Sequence, residues 1–271
     1  MKKIHIIVFL LFFKMNSQQI IDEISLPKEL NETSALEFFK KNILTLNDSG
    51  GQSILYEFNS KGEIVYRHKI LGIKNNDWES LAKDNKHIFI GDIGNNYGTR
   101  SNLSIIKVKL DDLIVDGIIN IKYKAQNNFD PNLYTEFDAE AITNYLENLL
   151  LFTKNRKSLT TEIYLIPKTP GDYIIEPIGF FEIGGLITGA DYDEKLKLLV
   201  LIGYESSGTQ FMCQVKDFNL ENIKLLDLKK YIIKIDKAQM EGIKIIDKNT
   251  FWISSEDEGK KSKPRLFKVK L

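Results

Sequence analysis

Asp77-Trp78-Glu79-Ser80-Leu81 sets an acidic residue between apolar ones at the head of a strand-like run, and its core returns along the chain. Ala139-Glu140-Ala141-Ile142 and Met240-Glu241-Gly242-Ile243 are the clearest copies. After each glutamate comes a hairpin-length gap, and an apolar run then starts nine or ten residues on, at Ile88, Leu149 and Phe251. Two weaker copies complete the set: Ser34-Ala35-Leu36-Glu37 leads to Ile43-Leu44-Thr45-Leu46, and Ile187-Thr188-Gly189-Ala190-Asp191 leads to Leu198 and onward. The positions 34, 79, 140, 188 and 241 are 45, 61, 48 and 53 residues apart, which is a repeat architecture of five units.

Each unit shows the same order of elements. In the first, Ser34 to Phe39 and Ile43 to Leu46 read as strands, Asn47-Asp48-Ser49-Gly50-Gly51 as a loop, and Ile54 to Phe58 with Glu63 to Ile70 as a hairpin. The second repeats this with the loop Gly91-Asp92-Ile93-Gly94-Asn95-Asn96, then Leu103 to Val108 and Ile118 to Tyr123. An extra polar stretch from Ala125 to Glu136 accounts for the longest spacing. The third has Thr153 to Leu159 as loop, then Ile163 to Ile166 and a strand from Tyr173 to Glu182. The fourth has Gly203 to Thr209, Phe211 to Val215 and Ile223 to Leu228, with residues 219–231 the one segment where a helical pattern competes. The fifth has Ser254 to Lys263 before a terminal strand, Arg265 to Leu271.

Antiparallel four-stranded units at this spacing suit an all-β, five-bladed β-propeller, in which radial packing protects the sheet edges. The alternating segment 19–30 belongs to no unit and the last unit lacks a strand, so the two ends are expected to pair and close the ring. A two-sheet sandwich gives no reason for a polar residue at one register of every repeat. A six-bladed lactonase-like ring would need a sixth unit within 110–136, where there is no acidic strand start.

Composition bounds the function. Of the 271 residues, 43% are apolar, and the 37 basic residues balance the 37 acidic ones, so there is no basic field for nucleic acid. Lys2 and Lys3, the apolar run Ile4 to Phe13 and polar Asn16-Ser17-Gln18 read as an export signal over 1–17, with residues 18–271 as one propeller domain. Lys14 and Met15 are atypical for the region before cleavage. The apolar run is too short for an ordinary transmembrane helix, so the expectation is an exported, periplasmic or secreted monomer with no membrane span in its mature form. Cleavage leaves 34 basic against 37 acidic residues. Cys213, the single cysteine, excludes an internal disulfide and reads as a buried thiol. Only His68 and His87 follow residue 17, which argues against a histidine triad or a zinc site.

In a propeller the innermost strands line one central channel, so Ser34, Glu79, Glu140, Thr188 and Glu241 converge there as a ring. Three facing carboxylates repel and either take up protons or bind a cation. An all-oxygen donor set selects a hard ion, and calcium is the expected cofactor. The open alternative is that these glutamates bond to the backbone of neighbouring blades or pair with lysines. Glu37 and Asp191, three residues beyond Ser34 and Thr188, are expected to point away from the channel because odd spacing on a strand changes face.

The stretches Leu36 to Phe58, Trp78 to Thr99 and Thr188 to Ser206 resemble blades of the calcium-activated nucleotidases, or secreted apyrases, a five-bladed propeller family with calcium in the central channel. The resemblance implies a serine, glutamate, glutamate, serine, glutamate ligand order, matched at Ser34, Glu79, Glu140 and Glu241, with threonine for serine at Thr188. It departs in the nucleotide-binding loops: residues 47–51 lack an arginine, and Gly94-Asn95-Asn96-Tyr97 lacks the lysine and tryptophan. Asp-Trp-Glu and Gly-Asp-Ile-Gly-Asn-Asn are also similar to exported bacterial propellers of unassigned role, some related to phytase-like esterases.

Loops on the same face hold further candidates. Lys154 and Arg156 would take an anionic phosphate, together with Asp92, Asn95, Tyr204 and Glu205, and Asp48 or Glu256 would orient water beside the metal. Tight turns also favour Gly, Asn and Asp at such positions for conformational reasons alone. Two functions stay open: a calcium-held binding module for an extracellular polymer, a protein or a small anionic ligand, and a calcium-dependent phosphohydrolase acting at the channel mouth.

Overall fold

The computed structural model describes residues 18–48, 50–235, 238–257 and 263–271, so the export segment read at 1–17 lies outside the described residues. The chain forms a five-bladed β-propeller. Blade 1 is β2 (Glu37–Phe39), β3 (Asn42–Thr45), β4 (Ile54–Phe58) and β5 (Ile64–Lys69), following β1 (Gln19–Ser25) in the chain. Blade 2 is β6 (Trp78–Lys83), β7 (His87–Asp92), β8 (Leu103–Lys109) and β9 (Val115–Tyr123). Blade 3 is β10 (Ala139–Tyr145), β11 (Asn148–Thr153), β12 (Thr160–Pro167) and β14 (Pro177–Glu182), with β13 (Gly171–Ile175) between the last two in sequence. Blade 4 is β15 (Leu186–Asp193), β16 (Leu198–Tyr204), β17 (Gln210–Val215) and β18 (Leu228–Ile232). Blade 5 is β19 (Met240–Asp247), β20 (Thr250–Ser255) and β21 (Arg265–Lys270), and its fourth strand is β1.

The two chain ends do close the ring. β1 runs antiparallel to β21 from Gln19 opposite Lys270 to Ser25 opposite Arg265. Behind this seam, Leu26 and Leu30 pack with Leu36, Phe58 and Leu266, so one small core joins the first blade to the last. Four other apolar clusters lie between successive blades. Each sheet is therefore buried on both faces, which is why β7, β11 and β16 are continuous apolar runs and the outer strand β9 alternates.

Three departures from the sequence-based plan have simple causes. Tyr173 to Glu182 is not one strand: it breaks at Glu176 before Pro177, and β13 leaves its own blade to pair in parallel with β9 of blade 2. Proline lacks the N–H that a continuous ladder would need there. Ile223 to Leu228 is not a strand, because a 3-10 segment capped by the Asn219 side chain covers Leu220–Leu225 and the outer strand starts only at Leu228. The first inner strand is also shorter than expected, beginning at Glu37, with Thr33 bridged singly to Asn47.

The inner strands carry a shared irregularity. Register shifts fall between Trp78 and Ser80, Ala139 and Ala141, Ile187 and Gly189, and Met240 and Gly242. The extra residue in each β-bulge is the repeated polar one: Glu79, Glu140, Thr188 or Glu241. A bulge re-aims a side chain and bends its strand, and here it occurs at the same place in four blades. The following residue is always small, namely Ala35, Ser80, Ala141, Gly189 or Gly242. A Cβ on Gly242 would strike Ser254 Oγ and lie 2.8 Å from the backbone carbon of Ala35, so small residues permit the close approach of inner strands. Between blades, Ser80 Oγ accepts from Ile142 N–H at 2.9 Å, Thr143 Oγ1 from Tyr192 N–H at 2.9 Å, and Asp191 Oδ2 from Ile245 N–H at 2.8 Å. Side chains of one blade thus satisfy the open edge of the next.

If the seam holds the ring closed, Leu30→Ala, at a fully buried position, should lower the free energy of unfolding in urea by about 2–5 kcal/mol. Ile21→Ser, on the exposed face of β1, should change it by less than about 1 kcal/mol. Equal effects of the two substitutions would contradict a load concentrated under the seam.

Candidate functional site

The bulges bring the ring together, and its members have different partners. Glu79, Glu140 and Glu241 are 3%, 5% and 5% exposed. Ser34 Oγ donates to Glu32 O at 2.9 Å, and Thr188 Oγ1 donates to Met240 O at 2.5 Å, so both hydroxyls hold backbone at the mouth. Glu140 receives Lys154 Nζ on both carboxylate oxygens, at 2.5 and 2.6 Å. Glu241 accepts from Gln239 Nε2. Glu79 differs, for its Oε1 is buried and has no hydrogen-bond partner.

Beside that oxygen stand two more acids. One ligand oxygen from each of Asp48, Asp77 and Glu79 lies within 4.8 Å of the others. The backbone of Gly94 passes so close that a Cβ there would collide with the carboxylates of both Asp77 and Glu79. Its neighbours are fixed: Arg100 donates to Gly94 O at 2.7 Å and to Asp92 Oδ1 at 2.6 Å, and lies 3.8 Å from Asp77 Oδ2. Asp92 in turn accepts from Asp77 N–H at 3.1 Å and from Asn76 Nδ2 at 2.7 Å. Asn95 accepts from Arg100 N–H and donates through its own N–H to Asp138 Oδ1 at 2.7 Å. Asp92 and Asn95 are therefore buried braces of the loop, each occupied within the protein.

The other loop candidates are similarly engaged. Arg156 pairs with Asp138, donates to Asn96 Oδ1 at 2.5 Å and lies 4.0 Å from Glu140. Lys154 is 3% exposed, and the Tyr204 ring lies 5.2 Å from its Nζ. Glu205 pairs with Lys230 at 2.7 Å. Glu256 belongs to the mouth, where its charge raises the affinity of Glu241 for a proton. The two bases expected to receive a phosphate thus hold protein carboxylates.

Electrostatics follows from this packing. Burial first, and then the charges of Glu140, Asp48 and Asp77, push Glu79 well above the usual carboxylate range. Burial and Asp48 push Asp77 up to about 7 against the pull of Arg100. Glu241 is raised well by burial and by Glu140, with Lys154 opposing. Burial raises Glu140 to about 7, again with Lys154 opposing. Burial works against the Lys154 charge too, but Glu140 and Glu241 outweigh it and keep the ammonium protonated. Cys213, by contrast, is buried among apolar groups and pushed up to about 12, as expected for an inert thiol.

One layer below, the sequence-based expectation for Glu37 and Asp191 is corrected. Both face the channel, where Lys244 Nζ lies 2.8 Å from Glu37 Oε2 and 2.8 Å from Asp191 Oδ1. The bulge at Thr188 reverses the parity of its strand, so a residue three positions on returns to the same side. For Glu37 the reason is that Ser34 precedes the strand altogether. Lys244 thus ties strands of the first, fourth and fifth blades together at this level.

Asp77, Asp138 and Gln239 are site residues that sequence reasoning missed. A signal existed: each stands two residues before a ring glutamate, in Asp77-Trp78-Glu79, Asp138-Ala139-Glu140 and Gln239-Met240-Glu241.

No known family's sequence profile matches the chain, and no curated protein matches it either. Solved structures do match in shape. A glutaminyl cyclase from Myxococcus xanthus aligns with a TM-score of 0.54 at 12% identity, over 93% of this chain and 95% of its own. A PQQ-bound aldose sugar dehydrogenase from Streptomyces coelicolor aligns with a TM-score of 0.56 at 9% identity, over 94% and 98%. A hypothetical protein from Leishmania major aligns with a TM-score of 0.51 at 12% identity, over 93% and 91%. Identities this low speak for the fold alone.

Asp77 binds its proton more tightly folded than unfolded, so its stabilising contribution is complete below its ordinary value of 3.8 and is lost as pH rises toward about 7. Asp77→Asn removes that loss. In chelator, the melting temperature of the variant minus that of the parent should increase between about pH 4 and pH 8; a constant or falling difference would contradict the assigned environment.

Proposed function

We propose that the protein is an exported propeller that holds one calcium ion at its channel mouth and serves as a binding module. The observation that carries this reading is the buried, unpartnered Glu79 Oε1 facing Asp77 and Asp48. A buried acceptor without a donor is costly, and three adjacent carboxylates compound the cost, unless protons or a cation compensate. The donors are all oxygens, which suits calcium, and the lack of a side chain at Gly94 leaves room for the Asp77 and Glu79 carboxylates to lie against its backbone. Of the glutamates implied by the nucleotidase resemblance, Glu79 has a buried oxygen without a partner, whereas Glu140 is engaged by an ammonium and Glu241 accepts from Gln239, which supports a cation on the Glu79 side of the ring. Export rests on the N-terminal lysines and apolar run, and among the described residues no helix is long and apolar enough to cross a membrane.

A binding role is preferred to phosphate-ester hydrolysis because Lys154 and Arg156 are both bonded to buried carboxylates. The remaining mouth groups, Asp48, Asp77, Glu79 and Glu256, repel a phosphate. Calcium would reduce that repulsion and hold the Asp77 and Asp92 loops in place. A rigid ring with loops on one face is suited to presenting a surface to a polymer or a protein.

Calcium binds only the folded protein in this account, so it should stabilise by about 2.7 kcal/mol at a hundredfold excess over its Kd. Asp77→Asn and Glu79→Gln should each abolish the calcium-induced rise in melting temperature. A panel of nucleotides, phytate and aryl phosphates should release no phosphate. Absence of any calcium response in the parent would remove the metal, and calcium-dependent turnover lost in Glu79→Gln would replace the binding module by a hydrolase.

A further inference from the structure

The ring has five positions and one excess of negative charge, yet its two halves are neutralised differently. On the Glu79 side the nearest guanidinium, Arg100, stands 3.8 Å from Asp77 and is bonded to Asp92. On the other side the Lys154 ammonium lies 2.5 and 2.6 Å from the two oxygens of Glu140, in its own blade, and within the field of Glu241. Its position follows from the fold: Lys154 directly follows the end of β11 at Thr153, and its N–H donates to Asp138 O at 2.8 Å, so the side chain leaves the mouth edge of the strand toward Glu140.

We infer that Lys154 is the resident cation of the axial site, and that this side chain directs a divalent ion away from the axis to the Asp48, Asp77 and Glu79 side. The molecule uses the same device below, where Lys244 is buried between Glu37 and Asp191. A lysine held by its own strand is present at every concentration, whereas a free ion must be captured. It also occupies both oxygens of Glu140, which would otherwise be the bidentate ligand that calcium favours. The ammonium, having no acceptor capacity, excludes a second cation from Glu241 by charge and by volume. The axis therefore holds a latent divalent-cation site formed by Glu140 and Glu241, with the Thr188 hydroxyl oxygen beside it. This inference rests on atoms different from those of the proposed calcium site, and the two are separable by counting ions.

The test is calcium stoichiometry, by equilibrium dialysis with elemental analysis and by calorimetric titration, on the full mature chain. Lys154→Met keeps the length and apolar stem of the side chain but removes its charge. The parent should bind one ion, Lys154→Met two, Lys154→Met/Asp77→Asn one, and Lys154→Arg one. Lys154→Met/Glu140→Gln should return to one, because the charge to be compensated has gone. If Lys154→Met folds only in millimolar calcium, the ion has taken over the ammonium's role and the inference is supported. One ion in Lys154→Met, with the same affinity and melting response as in the parent, would overturn it. So would a Lys154→Met variant that stays unfolded in calcium while Lys154→Met/Glu140→Gln folds. A parent that binds no ion would refute the proposed calcium site, whereas a site gained in Lys154→Met would still establish the role of Lys154.

Discussion

Burying Glu79, Glu140 and Glu241 about one axis sets like charges against one another where water cannot screen them, and the rest of the architecture answers that constraint. The carboxylates are there because four inner strands carry an extra residue at the mouth, and each bulge turns its polar residue inward. An isolated buried carboxylate would neutralise itself. This channel adds covalently held cations, Lys154 in the upper layer and Lys244 in the lower, with Arg156 and Arg100 at the rim, while burial still raises Glu79 and Glu241 well above the usual carboxylate range. Among the described ring glutamates, the buried Glu79 Oε1 is left without a hydrogen-bond partner from the protein itself.

The folding of the ring is tied to the same place. Inner strands are open edges in any propeller, and here the hydroxyls of Ser80 and Thr143 and the carboxylate of Asp191 accept backbone N–H groups of the next blade. The small residue after each ring position allows that approach. Channel polarity and blade-to-blade register are therefore parts of one design: the residues that gather charge at the axis adjoin those that pin neighbouring strands.

Much of this was legible in the sequence. The recurrence of an acidic strand start followed by an apolar run is strong because a sheet buried on both faces leaves little else to vary. The closing role of residues 19–30 was visible because the last unit lacked a strand. What was lost had local causes. A single inserted residue reverses the parity of a strand, so counting by twos sent Asp191 to the wrong side of the channel. Lys154 looked free to receive an anion because nothing in sequence shows that it leaves β11 toward Glu140. The transfer of β13 to another blade depends on the break at Pro177 and on an available edge at β9, which is tertiary information. Asp77 stood within the most informative stretch of the chain, and only the geometry around Gly94 gave it a role.

The shape is shared with a cyclase and a sugar dehydrogenase, so the fold by itself assigns no activity. The most direct test of the account is a crystal structure at neutral pH in millimolar calcium with anomalous data. The predicted result is one peak about 2.3–2.6 Å from carboxylate oxygens of Asp48, Asp77 and Glu79, with Lys154 Nζ still on Glu140. A peak on the axis between Glu140 and Glu241, with Lys154 displaced, or a mouth with no peak, would contradict it.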